Sequence, residues 1–173
     1  MNVPVLETER LRMRAHTVDD FPALMAMWSE EAVTHYIGGK PMRPDECWTR
    51  LLRYRGLWPL LGYGYWAVEE KASGRFAGDV GFADFHRMIE PSIRGVPEVG
   101  WVLGPDFHGK GYASEAVAAA LEWLDKQKQG RSVCIIDPAN QPSLRLAAKN
   151  GFREYARATF MGDAVLLLER LNG

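Results

Sequence analysis

Residues Trp101-Val-Leu-Gly-Pro-Asp-Phe-His-Gly-Lys-Gly-Tyr-Ala-Ser-Glu-Ala116 lead an apolar strand into a helix through two glycines that flank one lysine. After Ala113 the apolar positions recur every three or four residues, so one face of this helix is expected to be buried, and Gly130 ends it. The first N–H groups of a helix lack intrahelical partners, and the helix dipole adds partial positive charge there. Gly109 and Gly111, with Lys110 between them, therefore predict a corner that binds an anion such as a phosphate.

Two other interpretations of this corner compete with an anion site. The glycines could serve only to make a tight turn between the strand and the helix. They could also begin a nicotinamide-dinucleotide motif, since the next strand ends in Asp137, where a ribose-binding acid would lie. However, Ser114 occupies the third glycine position, and residues 138–173 are too few for the further strand–helix units of a dinucleotide-binding domain.

The sequence around this corner predicts one α/β domain over residues 1–173. An alternating strand at Leu11–Arg14 precedes a helix over 18–29, a loop over 30–44 and a second helix that opens at Asp45. On that second helix, Trp48, Leu51, Leu52 and Tyr54 are predicted to pack on a sheet. A hairpin follows over 63–70 and 76–85, then a mobile loop over 87–97 and a strand over 99–103. Beyond the central helix we expect a strand over 132–136, a helix over 142–149 and strands over 153–160 and 164–170.

Composition and charge exclude several classes of protein. Of the 173 residues 47% are hydrophobic, and 21 basic and 22 acidic side chains give a net charge of -1, so no nucleic-acid partner is expected. The N-terminus lacks a secretory signal pattern and no apolar run is long enough to span a bilayer, which predicts a cytoplasmic protein without a membrane partner. Cys47 and Cys134 are expected to be buried free thiols rather than a disulfide or a metal site.

Four segments together resemble the GNAT N-acetyltransferases, especially the branch of the ribosomal-protein N-terminal acetyltransferases RimJ and RimL. They are Thr8-Glu-Arg-Leu-Arg-Met-Arg14, Glu98-Val-Gly-Trp-Val-Leu103, Gly109-Lys-Gly-Tyr-Ala-Ser-Glu-Ala116 and Asn140-Gln-Pro-Ser-Leu-Arg-Leu-Ala-Ala-Lys-Asn-Gly-Phe152. The resemblance covers almost the whole chain. It implies the GNAT fold, a mixed, mostly antiparallel sheet with helices on both faces and two central strands that splay apart.

The resemblance also implies that acetyl-CoA, without a metal, is the acetyl donor. The family motif Q/R-x-x-G-x-G/A corresponds to residues 108–113, and His108 departs from its first position. Asn140 would bind the pantetheine amides, Ser143 would lie near the sulfur and Lys149 near the nucleotide phosphates. Each has a structural alternative: a helix cap, a first-turn residue and a cation at a helix C-terminus. The full set of expected cofactor contacts is Val102, Leu103, His108, Gly109, Lys110, Gly111, Tyr112, Ala113, Ser114, Asn140, Ser143 and Lys149.

For catalysis the resemblance points to Glu98 as the base, with a solvated carboxylate at a strand end as the alternative. A backbone N–H near Val102 would stabilise the oxyanion. Many members of the family carry a tyrosine that protonates the thiolate, but Ala147 occupies that position here. Ser143 or a water would therefore protonate the thiolate.

The acceptor pocket is expected to include Trp28, Tyr36, Trp66 and His86, although aromatic residues often belong to the core instead. The acceptor could be a protein N-terminus or a small amine. A catalytically silent acyl-CoA-binding module is a further hypothesis, and the sequence leaves a homodimer open.

Overall fold

The computed structural model describes residues 2–172, which form one eight-stranded sheet with helices on both faces. The strands are β1 (Leu6–Glu7), β2 (Leu11–Arg14), β3 (Tyr65–Glu70), β4 (Phe76–Ala83), β5 (Glu98–Leu103), β6 (Arg131–Ile136), β7 (Arg153–Phe160) and β8 (Asp163–Leu171). The helices are α1 (Phe21–Ser29), α2 (Glu31–Thr34), α3 (Pro44–Leu61), α4 (Tyr112–Lys126) and α5 (Gln141–Lys149). Short 3₁₀ turns at Val18–Asp20 and Pro105–Phe107 precede α1 and α4.

The sheet order is β1-β2-β3-β4-β5-β6-β8-β7, and every neighbouring pair is antiparallel except β5 and β6. The parallel pair is held together at a single register position, where Glu98 lies opposite Val133. Beyond this position the two strands diverge towards their C-terminal ends. The expected mixed sheet with splayed central strands is therefore confirmed.

Alternation along β5 assigns its side chains to two different layers. Val99 and Leu103 join the core beneath α4, whose buried stripe is Ala116, Val117, Ala120, Leu121 and Leu124. Val102 faces the opposite layer and packs against the cluster formed by α1 and α3. Because successive strand residues point to opposite faces, Glu98 and Gly100 lie on the same face as Val102.

Four expectations about individual segments need correction. The predicted loop over 30–44 contains helix α2, and the segment before Leu11 adds the short strand β1. Leu51 and Tyr54 of α3 are buried as expected, but Trp48 and Leu52 lie on its outer side and are exposed. The segment 87–97 forms no helix or strand, as predicted, yet Ile89 and Ile93 are buried against β6 and β8, so it is packed onto the sheet rather than free.

Candidate active site

A cleft of roughly 640 Å³ opens where β5 diverges from β6. Its walls are the C-terminal half of β5, the loop that leads into α4, and helix α5, with α2 and the turn after it on the fourth side. Eleven of the twelve expected cofactor residues line it: Val102, Leu103, His108, Gly109, Gly111, Tyr112, Ala113, Ser114, Asn140, Ser143 and Lys149. Lys110 does not line the cleft; its ammonium lies 5.8 Å from the ring centres of both Phe107 and Tyr112.

Within the described residues, backbone N–H groups of β5 that no neighbouring strand pairs with face this cleft. The Gly104 N–H donates to the Ala77 carbonyl of the neighbouring strand at 2.9 Å. Because N–H groups of successive strand residues point to opposite sides, the Val102 N–H also faces β4, whereas those of Trp101 and Leu103 face the gap towards β6. If a backbone N–H near Val102 is the oxyanion donor, as expected, the N–H groups of Trp101 and Leu103 are the ones that face the cleft.

The loop before α4 has the geometry of an anion site. Gly109 and Gly111 adopt the left-handed conformation, with φ angles of 72° and 77°. Gly111 is also the N-cap of α4 and brings no side chain to cap the helix, so the N–H groups of the first turn remain available to a ligand. The interpretation of the glycines as an anion-binding corner therefore agrees with the backbone of this loop.

Side chains from the turn between β1 and β2 hold the start of α4 in place. Glu115 accepts hydrogen bonds from the Thr8 hydroxyl at 2.6 Å and from the Arg10 Nε at 2.9 Å. Arg10 also donates from Nη1 to the Lys110 carbonyl at 2.8 Å, and its guanidinium lies over the Tyr112 ring. Burial alone would raise the pKa of Glu115, but the bonds from Thr8 and Arg10 outweigh burial and lower it. The N-terminal segment therefore fixes the position of the glycine loop.

His108 has a structural role on the opposite side of the loop. Its Nε2 lies 2.7 Å from the Leu103 carbonyl oxygen, which can only accept, so Nε2 carries the proton and donates. The residue that departs from the family motif thus ties the loop back to β5.

Helix α5 supplies the other polar wall. The Asn140 Oδ1 accepts from the Ser143 N–H at 3.2 Å, so Asn140 is a helix cap, as its structural alternative stated, and it also lines the cleft. The Ser143 hydroxyl accepts from the Trp101 indole at 3.3 Å. Trp101 also lines the cleft. It was not predicted as a site residue, although it is next to Val102 in the same strand.

Glu98 is a buried, ion-paired carboxylate. Its side chain is 9% exposed, and both of its oxygens accept from the Arg87 Nε, at 2.8 and 3.1 Å. The Arg87 guanidinium lies 5.0 Å from the ring centres of Phe85 and Phe160. The alternative of a solvated carboxylate at a strand end is therefore wrong. No sequence pattern pairs Arg87 with Glu98, since Arg87 lies in the segment predicted as a mobile loop.

Of the four expected acceptor-pocket residues, only Tyr36 lines the cleft. Trp66 is fully buried among Trp58 and Trp123 and donates its indole N–H to the Pro4 carbonyl. Trp28 is buried between α1 and α3, beneath the Arg50 guanidinium. Both tryptophans are core residues, because each points to the interior of its own layer. The His86 side chain is 73% exposed and lies outside the cleft.

The described residues show neither a metal-ion cluster nor a membrane-spanning helix, and their two cysteines are unpaired. Residues 2–172 contain no cluster of three or more side chains suited to a metal ion. No helix among them combines the length and apolar character needed to cross a membrane. Cys47 and Cys134 are buried free thiols, as predicted, and burial raises the pKa of each.

Comparisons with known proteins bear on the identity of this site. The sequence model of the acetyltransferase (GNAT) domain matches residues 10–153. The Bacillus subtilis protein YkkB is 31% identical over 151 residues, which cover 84% of this chain and 83% of YkkB. The N-acetyltransferase YoaA of the same organism is 26% identical over 153 residues, covering 87% and 84% of the two chains.

Solved structures agree with the sequence matches. A Bordetella pertussis structure, described as that of a GNAT-family acetyltransferase, has a TM-score of 0.86 at 34% identity and covers 97% of this chain and 99% of its own. The coenzyme A complex of RimL, a ribosomal L7/L12 alpha-N-protein acetyltransferase, has a TM-score of 0.78 at 19% identity, covering 97% and 98% of the two chains. The latter likeness concerns the fold.

Proposed function

This chain belongs to the GNAT family of acetyltransferases, and from that premise we propose that it binds acetyl-CoA in the cleft between β5, α4 and α5 and transfers the acetyl group to a primary amine. The observation that carries the proposal is the cleft itself. It combines unpaired N–H groups on β5, an uncapped helix N-terminus and a polar helix wall in one continuous space.

The residues of the cleft suit successive parts of such a donor. The first-turn N–H groups of α4, with Gly109 and Gly111 leaving the backbone open, suit a pyrophosphate. The free edge of β5 suits the amides of a pantetheine arm, which would pair with it like an added strand. Lys149, in the last turn of α5, lines the same cleft and offers a cation to a further phosphate.

Bound there, acetyl-CoA would supply an activated thioester carbonyl. The N–H groups of Trp101 and Leu103 face the gap and would stabilise negative charge on the carbonyl oxygen. Glu98, on the face of β5 that carries α1 and α3, would receive the proton that the amine loses. The Ser143 hydroxyl, held by the Trp101 indole, would donate a hydrogen bond to the departing thiolate.

The acceptor class is a primary amine, either a protein N-terminus or a small molecule. The shared fold of RimL supports the first, while the charged groups that line a second pocket with Arg87, namely Glu90 and Arg94, are compatible with both. These two kinds of acceptor differ in size, so a panel of amines separates them directly.

The first test is binding, measured as the shift in thermal unfolding with acetyl-CoA and with CoA. Saturating tight binding should stabilise the protein by roughly 2 to 4 kcal/mol. The second test is thiol release with a panel that includes peptides with free N-termini, amino acids, polyamines and aminoglycosides. Stabilisation with acceptor-dependent thiol release supports the proposal, stabilisation without release from any amine indicates a silent acyl-CoA-binding module, and no stabilisation contradicts the cofactor site.

A further inference from the structure

Three residues in register form a channel across the sheet on the face that carries α1 and α3. Tyr65 of β3 lies opposite Gly81 of β4, and Gly81 lies opposite Gly100 of β5. A methyl group at position 100 would overlap the Tyr65 hydroxyl, so the tyrosine ring extends over Gly81 and its oxygen lies above Gly100. Glycine inside a strand often marks the close approach of another group. Here Gly100 makes room for the Tyr65 hydroxyl, and Gly81 allows the backbones of β3 and β4 to approach closely.

The Tyr65 hydroxyl lies over Gly100, between Glu98 and the part of β5 whose Trp101 and Leu103 N–H groups face the cleft. Glu98, Gly100 and Val102 share one face of β5, and at a rise of about 3.3 Å per residue Gly100 is roughly 7 Å from each of the other two. The Cα atoms of Glu98 and Val102 are therefore roughly 13 Å apart. A Glu98 carboxylate held by Arg87 is too distant to take a proton directly from an amine that reacts beside Val102.

We propose that Tyr65 is a catalytic residue that passes the proton of the acceptor amine to Glu98. This inference rests on the proposed function. In the step, the amine nitrogen forms a C–N bond to the acetyl carbon while the C–S bond breaks and the thiolate leaves. The amine proton goes to the Tyr65 oxygen as the Tyr65 proton goes, through a bridging water, to a Glu98 oxygen. Tyr65 ends unchanged, Glu98 ends protonated, and the proton then leaves to solvent.

The surroundings of Tyr65 fit this role. Its ring stacks on Tyr54 of α3, with centroids 4.2 Å apart and planes 6° apart, which fixes the ring position. The Tyr54 hydroxyl accepts a hydrogen bond from the Arg50 Nη1 at 3.0 Å. Within residues 2–172 the Tyr65 hydroxyl has no hydrogen-bond partner, and Glu98 bonds to Arg87 instead, so a water would bridge Tyr65 and Glu98. A phenylalanine would fill the glycine channel as well as a tyrosine, so packing alone does not account for the hydroxyl.

The charges around Tyr65 keep its hydroxyl protonated. Burial, with the added effect of Tyr54 and Glu98, raises the pKa of Tyr65 well above its ordinary value, against the opposing effect of Arg50 and Arg87. The hydroxyl therefore remains an O–H donor at neutral pH. That is the form a relay needs, since it must hand over one proton as it accepts another.

The test compares Tyr65→Phe with Tyr54→Phe, two variants that each remove one hydroxyl from the same ring stack. Turnover is measured with an acceptor that the wild type acetylates, at saturating acetyl-CoA and acceptor. We expect Tyr65→Phe to lower kcat about 100-fold, the size of a general acid–base contribution. Tyr54→Phe should stay within about threefold of the wild type, because its hydroxyl binds Arg50 and is outside the proposed path. Stabilisation by CoA should be unchanged in both.

A double variant separates a relay from a packing effect. If Tyr65 and Glu98 serve one proton path, Tyr65→Phe combined with Glu98→Gln should be about as slow as the slower single variant. Losses that multiply, or Tyr65→Phe turnover within about threefold of the wild type, would overturn the proposal. If Tyr65→Phe fails to fold, 3-fluorotyrosine at position 65 keeps the hydroxyl with a lower pKa. A shifted pH–rate profile then supports the relay, and an unshifted one overturns it.

The failure of this inference is distinguishable from the failure of the proposed function. If the wild type releases no thiol with any amine, the proposed transfer itself is wrong. If the wild type and Tyr54→Phe turn over and Tyr65→Phe does so equally well, only the role of Tyr65 is wrong.

Discussion

At the scale of single residues, the ion pair between Arg87 and Glu98 limits how a proton donor can approach the carboxylate. The Arg87 Nε donates to both oxygens of the Glu98 carboxylate. A further proton donor must therefore approach Glu98 beside the Arg87 guanidinium. Each carboxylate oxygen can accept more than one hydrogen bond, so the pair leaves sites for a further proton donor. The ion pair therefore holds Glu98 in a fixed orientation without closing it to the proposed relay.

Replacing Glu98 by glutamine tests its role as the proton acceptor. Glu98→Gln keeps the size of the side chain but removes its basicity, so kcat should fall by about 100-fold or more. The matched control is Glu169→Gln on β8, which breaks a similar ion pair, Arg131 Nε to Glu169 Oε2 at 2.8 Å, away from the cleft. Steady-state turnover of both variants checks this. Equal kcat values for the two variants would show that Glu98 is not the base.

At this scale the sequence predicted which residues line the cleft better than which face a strand residue points to. Glu98 and the eleven residues that line the cleft could be expected because a family resemblance fixes positions along the chain. Trp66 could not be assigned to the core in advance, since the predicted hairpin did not say which of its faces would meet the helices. Tyr65, its neighbour, points to the other face, and only the register with Gly81 and Gly100 reveals its position.

At the scale of secondary-structure elements, the start of α4 depends on residues about a hundred positions earlier in the chain. Thr8 and Arg10 bind Glu115, and Arg10 reaches the Lys110 carbonyl. Apart from the strand at Leu11–Arg14, this segment was known from the sequence only as part of the family resemblance. Its purpose follows from the fold, because β1 and β2 run beside the N-terminus of α4.

Glu115→Gln should loosen the glycine loop. Hydrogen bonds to a charged group contribute about 1.5 to 3 kcal/mol each, so we expect a lower unfolding temperature and acetyl-CoA affinity weakened by about three- to tenfold. The control is Glu122→Gln on the same helix, whose exposed pair with Lys126 contributes about 0.3 to 0.5 kcal/mol. Thermal unfolding and titration with acetyl-CoA measure the two effects. An unchanged affinity in Glu115→Gln would contradict the anchoring role.

The same ion pair predicts a pH dependence of stability. The pKa of Glu115 is lower in the folded protein than its ordinary value of 4.5. Its contribution is therefore complete above about pH 4.5 and is lost as pH falls through the lowered folded pKa. The difference in unfolding free energy between the wild type and Glu115→Gln should shrink in that acidic range. A difference that stays constant from neutral pH to below pH 4 would contradict the assignment.

Elements with a clear period were predicted closely, and short ones were not. The buried stripe of α4 and the strand Arg153–Phe160 follow from their sequence patterns. Helix α2 has only four residues, too few for a helical period to be visible among glycines and prolines. Its contribution to the cleft, which includes Val33, therefore could not be seen in the sequence.

At the scale of the whole molecule, the cleft exists because β5 and β6 pair at only one register position. β5 and β6 meet at Glu98 and Val133 and then separate, so the N–H groups of Trp101 and Leu103 are left for a ligand. The divergence was expected from family resemblance, since no local pattern in either strand encodes it. The cleft joins this open edge to the N-terminus of α4, and the account depends on acetyl-CoA binding across both.

The most direct measurement is a calorimetric titration of acetyl-CoA into the wild type, Gly109→Ala and Gly74→Ala. Both glycines have left-handed φ angles, 72° and 70°, and open space around the position of a Cβ atom, so the two variants carry similar backbone strain. Of these two glycines, Gly109 lines the cleft and Gly74 does not. We predict binding by the wild type and Gly74→Ala with similar affinity, and binding at least about tenfold weaker, or roughly 1.4 kcal/mol, for Gly109→Ala. Equal affinity in the two variants, or no binding by the wild type, would contradict the account.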